Sequence, residues 1–344
     1  MSLSNVGIVG ASGAVGLELI KLLEERNFPV RTLRCFGSKR SAGSKIPFNE
    51  SSVIVEELSP TKLEGLDLVF FSAGSKISKE YAPIAQKLGI VVIDNSSAFR
   101  LDKEVPLVIP EVNPEALKTH KGIIANPNCA TILMLMALAP LHKIAKLKRI
   151  VVSTYQAASG AGLKAMEELE EETLAYLENR PYTRSVIPHP YAFNLFLHNS
   201  AVKDNGYLEE ELKLVHETHK ILGDNTIRIG ATCVRVPVLR SHSESINAEF
   251  HQPISEEEAT EVLKHAEGVI VTTSAMPVHA TGQNSIFCGR IRKDLSQDNT
   301  LDLWVVGDQI LKGAALNAIQ IAEKILIQDD PIKTLTALQK QAFV

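Results

Sequence analysis

The stretch "GIVGASGAVGLELI", residues 7–20, decides the fold that we predict for this chain. It joins a short apolar run to a helical pattern through a turn that contains Gly10, Gly13 and Gly16. A glycine turn at this point lets the backbone approach a pyrophosphate held at the helix N-terminus. The spacing G-x-x-G-x-x-G is close to the dinucleotide fingerprint but does not repeat it. We therefore predict a dinucleotide site, and the alternative is a tight turn that needs its glycines only for packing.

Apolar runs and helical patterns alternate in the residues that follow this turn. The strand-like runs are "VRTLRCF", "LDLVFFSAG" and "IVVIDNSS", and helical patterns such as "YAPIAQKLG" stand between them. This alternation is typical of βαβ units around a parallel sheet whose strands are buried on both faces. The fold class that we predict is α/β, with a Rossmann-type dinucleotide-binding domain at the N-terminus.

The pattern changes after the apolar helix that begins near Cys129. Strand-like runs now include "RIVVSTYQ", "ATCVRVPVLRS", "ESINAEFHQ", "SIFCGRIRKD" and "TLDLWVVGD", with helices between only some of them. This arrangement predicts a mixed or antiparallel sheet in a second, α+β domain. One of its helices, "LKAMEELEEETLAYLENR", has an apolar side and a strongly acidic side, and we expect the apolar side to contribute to a homodimer interface.

Composition excludes several classes of function. The 344 residues include 36 Lys and Arg against 40 Asp and Glu, so no overall basic field would attract nucleic acid or an anionic membrane. The sequence shows no signal peptide and no apolar run long enough for a bilayer span. Four widely spaced cysteines suggest neither a disulfide framework nor a metal site. We expect a cytoplasmic protein that acts on a small molecule.

The second predicted strand leads into "FGSKRSAGSK", residues 36–45. NAD sites usually place Asp or Glu at this point for the ribose 2'-hydroxyl, whereas a 2'-phosphate needs cations and small donors. The segment contains Ser38, Lys39, Arg40 and Ser41 and no acid, which favours NADP. The alternative is a solvated basic loop.

One cysteine stands apart from the other three. Cys129, in "ANPNCATILMLMALAPL" (residues 125–141), begins a helix, where the dipole and nearby amide donors favour the thiolate. Its position alone leaves a nucleophile and a small core residue equally open. A nucleophile also needs a proton acceptor, and His242 is a candidate because it emerges from the end of a strand pattern.

Eight segments together resemble the aspartate-semialdehyde dehydrogenase family, and they occur in that family's order along nearly the whole chain. They are "GIVGASGAVG", "KRSAGSK", "DNSSAFR", "ANPNCAT", "YQAASGAG", "ATCVRVPVLRSHSES", "CGRIRKD" and "KGAALNAIQIAE". The resemblance implies reduction of L-4-aspartyl phosphate by NADPH to L-aspartate 4-semialdehyde, through a thioacyl enzyme and with release of phosphate. This product leads to lysine, diaminopimelate, threonine and methionine.

The resemblance also implies roles for individual residues. Cys129 would be the nucleophile, His242 the acid/base, and Gln156 the group that orients the intermediate. The implied substrate-binding residues are Arg235 for the carboxylate, Glu217 for the ammonium, Arg100 and Lys220 for the phosphate, and Asn128 beside the nucleophile. Structural ion pairs are the alternative for these charged residues.

The cofactor-binding residues implied by the resemblance come from several segments. They are Gly10, Ser12, Gly13, Ala14, Val15, Ser38, Arg40, Ser41, Ser72, Ala73, Gly74, Gly160 and Asn317. A role for Asn317 requires the C-terminal helix to return to the first domain. We therefore predict an NADP-binding domain of residues 1–128 and 313–344 and a catalytic and dimerisation domain of residues 129–312. One departure is Ser44, which lengthens the basic loop relative to the family's "RSAGK" and leaves the detail of phosphate binding open.

Other functions remain as alternatives at this stage. N-acetyl-gamma-glutamyl-phosphate reductase shares the chemistry, but its acetylated substrate has no ammonium for Glu217 to bind. Glyceraldehyde-3-phosphate dehydrogenase usually takes NAD, against which the basic loop argues. A non-catalytic NADP-binding regulatory module would bury Cys129, and a zinc-dependent dehydrogenase would need a ligand cluster that the spacing does not show. We expect a homodimer, and whether dimers pair into tetramers is left open.

Overall fold

A computed structural model describes residues 4–329 of the chain. Its contacts divide the described chain into two compact units, residues 4–127 with 314–329 and residues 128–313. We call them the N-terminal unit and the central unit. Each boundary is one residue away from the one expected from the sequence. Residues 1–3 and 330–344 of the expected first domain lie outside the described residues.

The described residues form fourteen strands and eight α-helices. In chain order they are β1 (Ser4–Val9), α1 (Ala14–Glu25), β2 (Val30–Gly37), β3 (Lys45–Phe48), β4 (Ser51–Glu57), β5 (Leu68–Phe71), α2 (Ser75–Lys87), β6 (Val91–Asp94), β7 (Ile123–Ala125), α3 (Cys129–Ala145), β8 (Leu147–Gln156), α4 (Leu163–Leu177), β9 (Phe196–Leu197), α5 (Glu209–Leu222), β10 (Arg228–Arg235), β11 (His242–Phe250), α6 (Glu256–Lys264), β12 (Val269–Val271), α7 (Pro277–Ala280), β13 (Ile286–Lys293), β14 (Thr300–Gly307) and α8 (Leu316–Asp329).

The N-terminal unit contains the predicted Rossmann-type sheet. Its strand order is β3-β4-β2-β1-β5-β6-β7, and every pairing is parallel except that of β3 with β4. The order reverses between β1 and β5, which creates the topological switch point where open α/β sheets bind ligands. The helix α8 packs against α1 and β6, and Arg26 of the α1 C-cap pairs with Glu323 at 2.7 Å. The C-terminal helix thus belongs to this unit.

The central unit contains the predicted mixed sheet, in the order β12-β13-β14-β11-β8-β10-β9. Strand β8 pairs parallel with β10 and antiparallel with β11, so the end of β8 and the start of β11 meet at one edge. The helix α3 is apolar on nearly all sides and packs against β8, β11, β13 and β14. A helix that is apolar all round must be buried, and α3 forms the core of this unit.

The predicted helix at residues 163–177 is present as α4, but its acidic side is not wholly exposed. Glu168 accepts hydrogen bonds from the backbone N–H groups of Ser185, Val186 and Ile187. Burial opposes the ionisation of Glu168, but these hydrogen bonds outweigh it and lower its pKa. Buried Glu172, one turn further, accepts from Tyr191 N–H at 2.9 Å. The two carboxylates therefore hold the following loop against the helix.

The segment before α8 differs from the continuous helical pattern of the sequence. Residues Leu311–Ala315 form a π-helical turn before α8 begins. Gly313 explains part of this geometry, because a Cβ on it would lie 2.9 Å from Cβ of Cys129. The close approach of the turn to the start of α3 thus requires glycine.

Residues 4–329 contain neither a helix suited to span a bilayer nor a cluster of metal-binding side chains. No described helix combines the length and the apolar character that a bilayer span requires. Within the same residues, no group of three or more His, Cys, Asp and Glu side chains is arranged to hold a metal ion.

Candidate active site

The glycine turn lies at the switch point of the N-terminal unit. Gly10 has φ +87°, and a Cβ on it would lie 2.5 Å from the carbonyl oxygen of Ser72. A Cβ on Gly16 would lie 2.3 Å from the carbonyl oxygen of Gly10. The turn therefore brings the loop after β1 close to the loop after β5, in a way that only glycine allows. Gly13 is the N-cap of α1 and offers no side-chain cap, which leaves the helix N-terminus suited to a phosphate.

The remaining residues of the expected dinucleotide groove lie around this turn. Ser12 is exposed, and Ala14 and Val15 are half-buried in the first turn of α1. Ser72, Ala73 and Gly74 follow the end of β5, and Gly74 is the N-cap of α2 with φ +86°. All of them thus lie at the carboxyl edge of the sheet, where a dinucleotide would bind.

The basic loop follows β2 directly. Ser38 and Arg40 are exposed, and Ser41 is half-buried, with its Oγ donating to the carbonyl of Ser38 at 3.1 Å. The guanidinium of Arg40 has no hydrogen-bond or ion-pair partner among the described residues. The acid nearest in the sheet register is exposed Glu57, whose Cα is paired with that of Gly37. The loop offers cations and hydroxyls, and one carboxylate lies on the neighbouring strand.

Arg100 and Asn317 are both buried in the N-terminal unit. Arg100 donates from Nε to the carbonyl of Asn126 at 2.9 Å and from Nη2 to the carbonyl of Asn95 at 2.8 Å. Asn317 donates from Nδ2 to the carbonyl of Val108 at 3.0 Å and to Oδ1 of Asn126 at 2.6 Å. These bonds fix the segment before Cys129 and give Asn317 a structural role that the sequence did not indicate.

Cys129 is the first residue of α3, as the sequence indicated. Asn128 is the N-cap, and its Oδ1 accepts from the N–H of Ala130 at 3.0 Å. Cys129 is half-buried, whereas Cys35, Cys233 and Cys288 are buried. Burial raises the pKa of Cys35 to about 12, that of Cys288 to about 12, and that of Cys233 further still. Cys129 is therefore the cysteine whose position suits a nucleophile.

Three predicted residues meet at one edge of the central sheet. Gln156 ends β8, Arg235 ends β10 in register with it, and His242 begins β11. The parallel pairing of β8 with β10 and the antiparallel pairing with β11 place these positions side by side. All three side chains are buried, at 1%, 2% and 0% exposure respectively. Gly160 lies against two of them, since a Cβ on it would come within 3.0 Å of His242 Nε2 and Arg235 Nη1.

The protonation state of His242 follows from its contacts. Its Nδ1 accepts a hydrogen bond from the backbone N–H of Ala157 at 3.0 Å. Burial, reinforced by Arg235, holds the pKa of His242 well below its ordinary value. The ring is therefore neutral, with its proton on Nε2. That nitrogen is buried and has no hydrogen-bond partner among the described residues.

Sequence analysis missed Glu210, which lies at the centre of this group. Its Oε1 accepts from Asn128 Nδ2 at 2.9 Å and from Gln156 Nε2 at 3.4 Å. Its Oε2 accepts from Lys213 Nζ at 2.8 Å. Burial opposes the ionisation of Glu210, but its charged and polar neighbours, first among them Lys213, together outweigh burial and hold the pKa of Glu210 below its ordinary value. Glu210 is thus a buried carboxylate that touches two predicted site residues.

The predicted pair Glu217 and Lys220 lies two helical turns further along α5. Glu217 is buried and its Oε2 accepts from the backbone N–H of Asn128 at 2.6 Å, whereas Lys220 is half-buried. The spacing E-x-x-K occurs twice in α5, at 210–213 and at 217–220. The two pairs are seven residues apart, which places them about 10 Å apart along the helix. The repeated spacing is the signal that could have identified the first pair.

Both units match models of known protein families. Residues 5–120 match the "Semialdehyde dehydrogenase, NAD binding domain", and residues 138–312 match the "Semialdehyde dehydrogenase, dimerisation domain". The fold is therefore that of a semialdehyde dehydrogenase, which is an oxidoreductase with an NAD(P)-binding domain and a dimerisation domain.

The relatives define the family more narrowly. The aspartate-semialdehyde dehydrogenase of Prochlorococcus marinus is 50% identical over 327 residues, which cover 93% of this chain and 95% of that one. The enzyme of the same name from Aquifex aeolicus is 50% identical over 93% of this chain and 97% of its own. The crystal structure of aspartate semialdehyde dehydrogenase II from Vibrio cholerae, complexed with ASA, has a TM-score of 0.93 at 41% identity and covers 96% of this chain and 99% of that chain. The chain belongs to the aspartate-semialdehyde dehydrogenase family, and this supports the main prediction over its alternatives.

Proposed function

We propose that this chain interconverts L-4-aspartyl phosphate and L-aspartate 4-semialdehyde plus phosphate, with NADP as cofactor. The reaction would serve the amino-acid biosynthesis that starts from aspartate. The observation that carries the proposal is the group at the edge of the central sheet. There Gln156, Arg235 and His242 lie side by side, and Glu210 joins Gln156 to the residue that precedes Cys129.

The chemistry follows from the residues of the central unit. In the reductive direction, the thiolate of Cys129, favoured by the N-terminus of α3, bonds to the acyl carbon as the bond from that carbon to the phosphate oxygen breaks. When bound, NADPH would supply the hydride for reduction of the resulting thioester. His242 would donate a hydrogen bond from Nε2 to the oxyanion of the tetrahedral thiohemiacetal, which collapses to the aldehyde as the carbon–sulfur bond breaks and the thiolate leaves. The amide of Gln156, fixed by Glu210, orients the acyl group.

The charged residues suit the three charged groups of the substrate. Arg235 would bind the α-carboxylate, because a guanidinium can donate to both of its oxygens. Glu210, rather than Glu217, would bind the ammonium, since its carboxylate contacts the side chains of Asn128 and Gln156. We assign the phosphate to Lys213 rather than Lys220, because Lys213 contacts Glu210 and therefore lies in the same group of residues. Arg100 remains a further proposed phosphate ligand.

NADP is the cofactor that the residues of the N-terminal unit favour. The glycines hold the turn close to the backbone of Ser72 and of Gly10 itself, and the N-terminus of α1 that follows has no side-chain cap and would bind the pyrophosphate. Arg40, with Ser38 and Ser41 nearby, would bind the 2'-phosphate. A guanidinium without another partner is available for such a bidentate contact.

A homodimer is the assembly that we propose, with tetramers as a further possibility to be measured. The helices α3, α5 and α6 pack on the sheet of the central unit. Tyr155 is 36% exposed, and its ring lies 5.5 Å from that of Trp304. At the end of α4, Leu174, Tyr176 and Leu177 are more than half exposed. Covering these apolar side chains with a second copy would remove them from water.

Light scattering at micromolar concentration should give the mass of a dimer, and a monomer would contradict this proposal.

We also propose a cytoplasmic location. A nucleophilic Cys129 must remain a free thiol, and the reducing cytoplasm maintains that state. None of the four cysteines forms a disulfide within the described residues.

The decisive experiment follows NADP reduction at 340 nm with purified protein, L-aspartate 4-semialdehyde and phosphate. Turnover should require phosphate and should disappear in Cys129→Ala, while Cys288→Ala should retain it. A protein that binds NADP but does not turn over this aldehyde would contradict the assignment. N-acetylglutamate 5-semialdehyde is the substrate to test next in that case.

A further inference from the structure

Arg235 is held by two contacts inside the central unit. Its Nη1 donates to the carbonyl of Ala157 at 2.9 Å, and its Nη2 lies 2.8 Å from Nε2 of His198. A guanidinium has five N–H donors, so these two bonds leave three for other acceptors. One of the three, Nε–H, has no partner among the described residues. The contacts therefore fix the plane of the guanidinium and leave donors for a ligand.

The short strand β9 brings His198 to this position. Phe196 pairs with Arg235 and Leu197 with Val234, both in the antiparallel sense. The backbone N–H of His198 then donates to the carbonyl of Cys233 at 2.8 Å. The backbone N–H of Ser200 lies 3.2 Å from Nδ1 of the ring. The strand pairing and the bond to Cys233 thus place the ring beside Arg235.

The contact with Arg235 requires a neutral imidazole. Arginine is only a donor, so Nε2 of His198 must accept with its lone pair, and the ring proton then lies on Nδ1. In that tautomer Nδ1 does not accept from the N–H of Ser200, whose separation of 3.2 Å is the longer of the two contacts. Burial lowers the pKa of His198 to about 4, with Arg235 and Lys213 acting in the same direction and Glu210 in the opposite one. His198 is therefore uncharged near neutral pH.

We propose that His198 is a positioning residue for substrate binding, which orients the guanidinium of Arg235 toward the α-carboxylate of the substrate through its Nε2 lone pair. This inference rests on the proposed function, in which Arg235 binds that carboxylate. A carboxylate in place of His198 would orient the guanidinium too, but it would neutralise the charge and compete with the substrate. A neutral acceptor orients the group and leaves its charge for the ligand.

The test compares three variants of His198 with one control. His198→Ala removes the acceptor, His198→Phe removes it and keeps an aromatic ring, and His198→Gln replaces it with an amide oxygen. The control is His189→Ala, which removes an exposed histidine from the same loop. Kinetics use L-aspartate 4-semialdehyde. Two truncated aldehydes serve as competitive inhibitors, namely succinate semialdehyde, which lacks the ammonium, and 3-aminopropanal, which lacks the carboxylate.

We expect KM to rise about tenfold in His198→Ala and in His198→Phe, because a hydrogen bond to a charged group is lost. The turnover number should change by less than about threefold, since the thiol chemistry is untouched. His198→Gln and His189→Ala should keep KM close to the wild-type value. Inhibition by succinate semialdehyde should weaken as KM rises, while inhibition by 3-aminopropanal should not change.

The outcomes separate this inference from the proposed function. A wild-type protein that does not turn over the aldehyde overturns both. Turnover by the wild type with an unchanged KM in the folded Ala or Phe variant overturns the role of His198 alone. The same follows if both inhibitors weaken equally, or if His189→Ala raises KM as much, because His198 would then only support the fold of the loop. If His198→Ala does not fold, the Phe and Gln variants give the comparison.

Discussion

The backbone N–H of Ala157 donates to Nδ1 of His242 across 3.0 Å, and this bond determines which nitrogen of the histidine carries the proton. With Nδ1 occupied as an acceptor, the neutral ring holds its hydrogen on Nε2. Nε2 is the nitrogen that faces Gly160. His242 is therefore a hydrogen-bond donor in its resting state, which suits the stabilisation of a thiohemiacetal oxyanion.

The first prediction concerns Gly160. In Gly160→Ala the new methyl group would lie 2.9 Å from Cε1 of His242 and 3.0 Å from Nη1 of Arg235, so both side chains must shift. We expect kcat/KM to fall about 100-fold, since small displacements of catalytic groups are costly. Gly230→Ala, where no heavy atom lies within 4 Å, should have no such effect. Equal activity of the two variants would show that the close contact is unimportant.

The second prediction concerns thiol reactivity. Iodoacetamide should modify the native protein at Cys129 alone, because Cys35, Cys233 and Cys288 are buried and their pKa values are raised. Mass spectrometry should give one adduct in the native protein, none in Cys129→Ser, and four after unfolding of the wild type. An adduct at a buried cysteine in the folded protein would count against the assignment of the nucleophile.

The third prediction distinguishes the two acid–lysine pairs of α5. Glu210→Gln should raise KM for L-aspartate 4-semialdehyde by about 10- to 100-fold, because the charge that would bind the ammonium is lost. Glu217→Gln should change KM by less than about threefold, since an amide oxygen can still accept from the N–H of Asn128. Steady-state kinetics of both variants provide the measurement. The opposite ranking would restore the assignment made from the sequence.

The fourth prediction concerns Glu244 of β11, whose carboxyl group is fully buried with no hydrogen-bond partner among the described residues. Burial raises its pKa well above the ordinary value, so folding requires a protonated carboxyl. The stabilisation that comes from protonating Glu244 is complete at pH values below the pKa of this group in the unfolded chain. It is lost as the pH rises toward the pKa of the group in the folded protein. Glu244→Gln removes this dependence.

We therefore expect the free energy of unfolding of Glu244→Gln, relative to wild type, to increase between pH 5 and pH 8. The slope should be at most about 1.4 kcal/mol per pH unit, the limit for one proton. Urea unfolding at several pH values measures it, and Glu167→Gln, at an exposed position of α4, is the control. A difference that does not vary with pH would mean that Glu244 is ionised in the fold.

The fifth prediction concerns cofactor choice. Arg40→Ala should raise KM for NADP about tenfold and leave KM for NAD within about threefold, because only NADP has the 2'-phosphate. Lys39→Ala removes the neighbouring charge and should have the smaller effect. An equal loss for both cofactors in Arg40→Ala would assign the loop a general electrostatic role, and Glu57 would become the residue to test for NAD binding.

The sequence by itself determined the features that depend on local pattern. Alternation of apolar runs and helices predicted the parallel sheet, the glycines predicted the turn between β1 and α1, and the position of Cys129 predicted the start of α3. All three depend on neighbouring residues, because periodicity, glycine conformation and capping act over a few positions.

Only the tertiary structure decided which distant residues meet. Helical periodicity places Glu210 and Glu217 on one side of α5 but does not say which of them reaches Gln156. His198 stands in a loop without periodicity, and the pairing of β9 with β10 brings it to Arg235. The sequence places Glu168 and Glu172 on the acidic side of α4, but in the structure the following loop covers both of them. Contacts of this kind join residues that are far apart in the chain, so their partners are set by the packing of whole elements and not by local spacing.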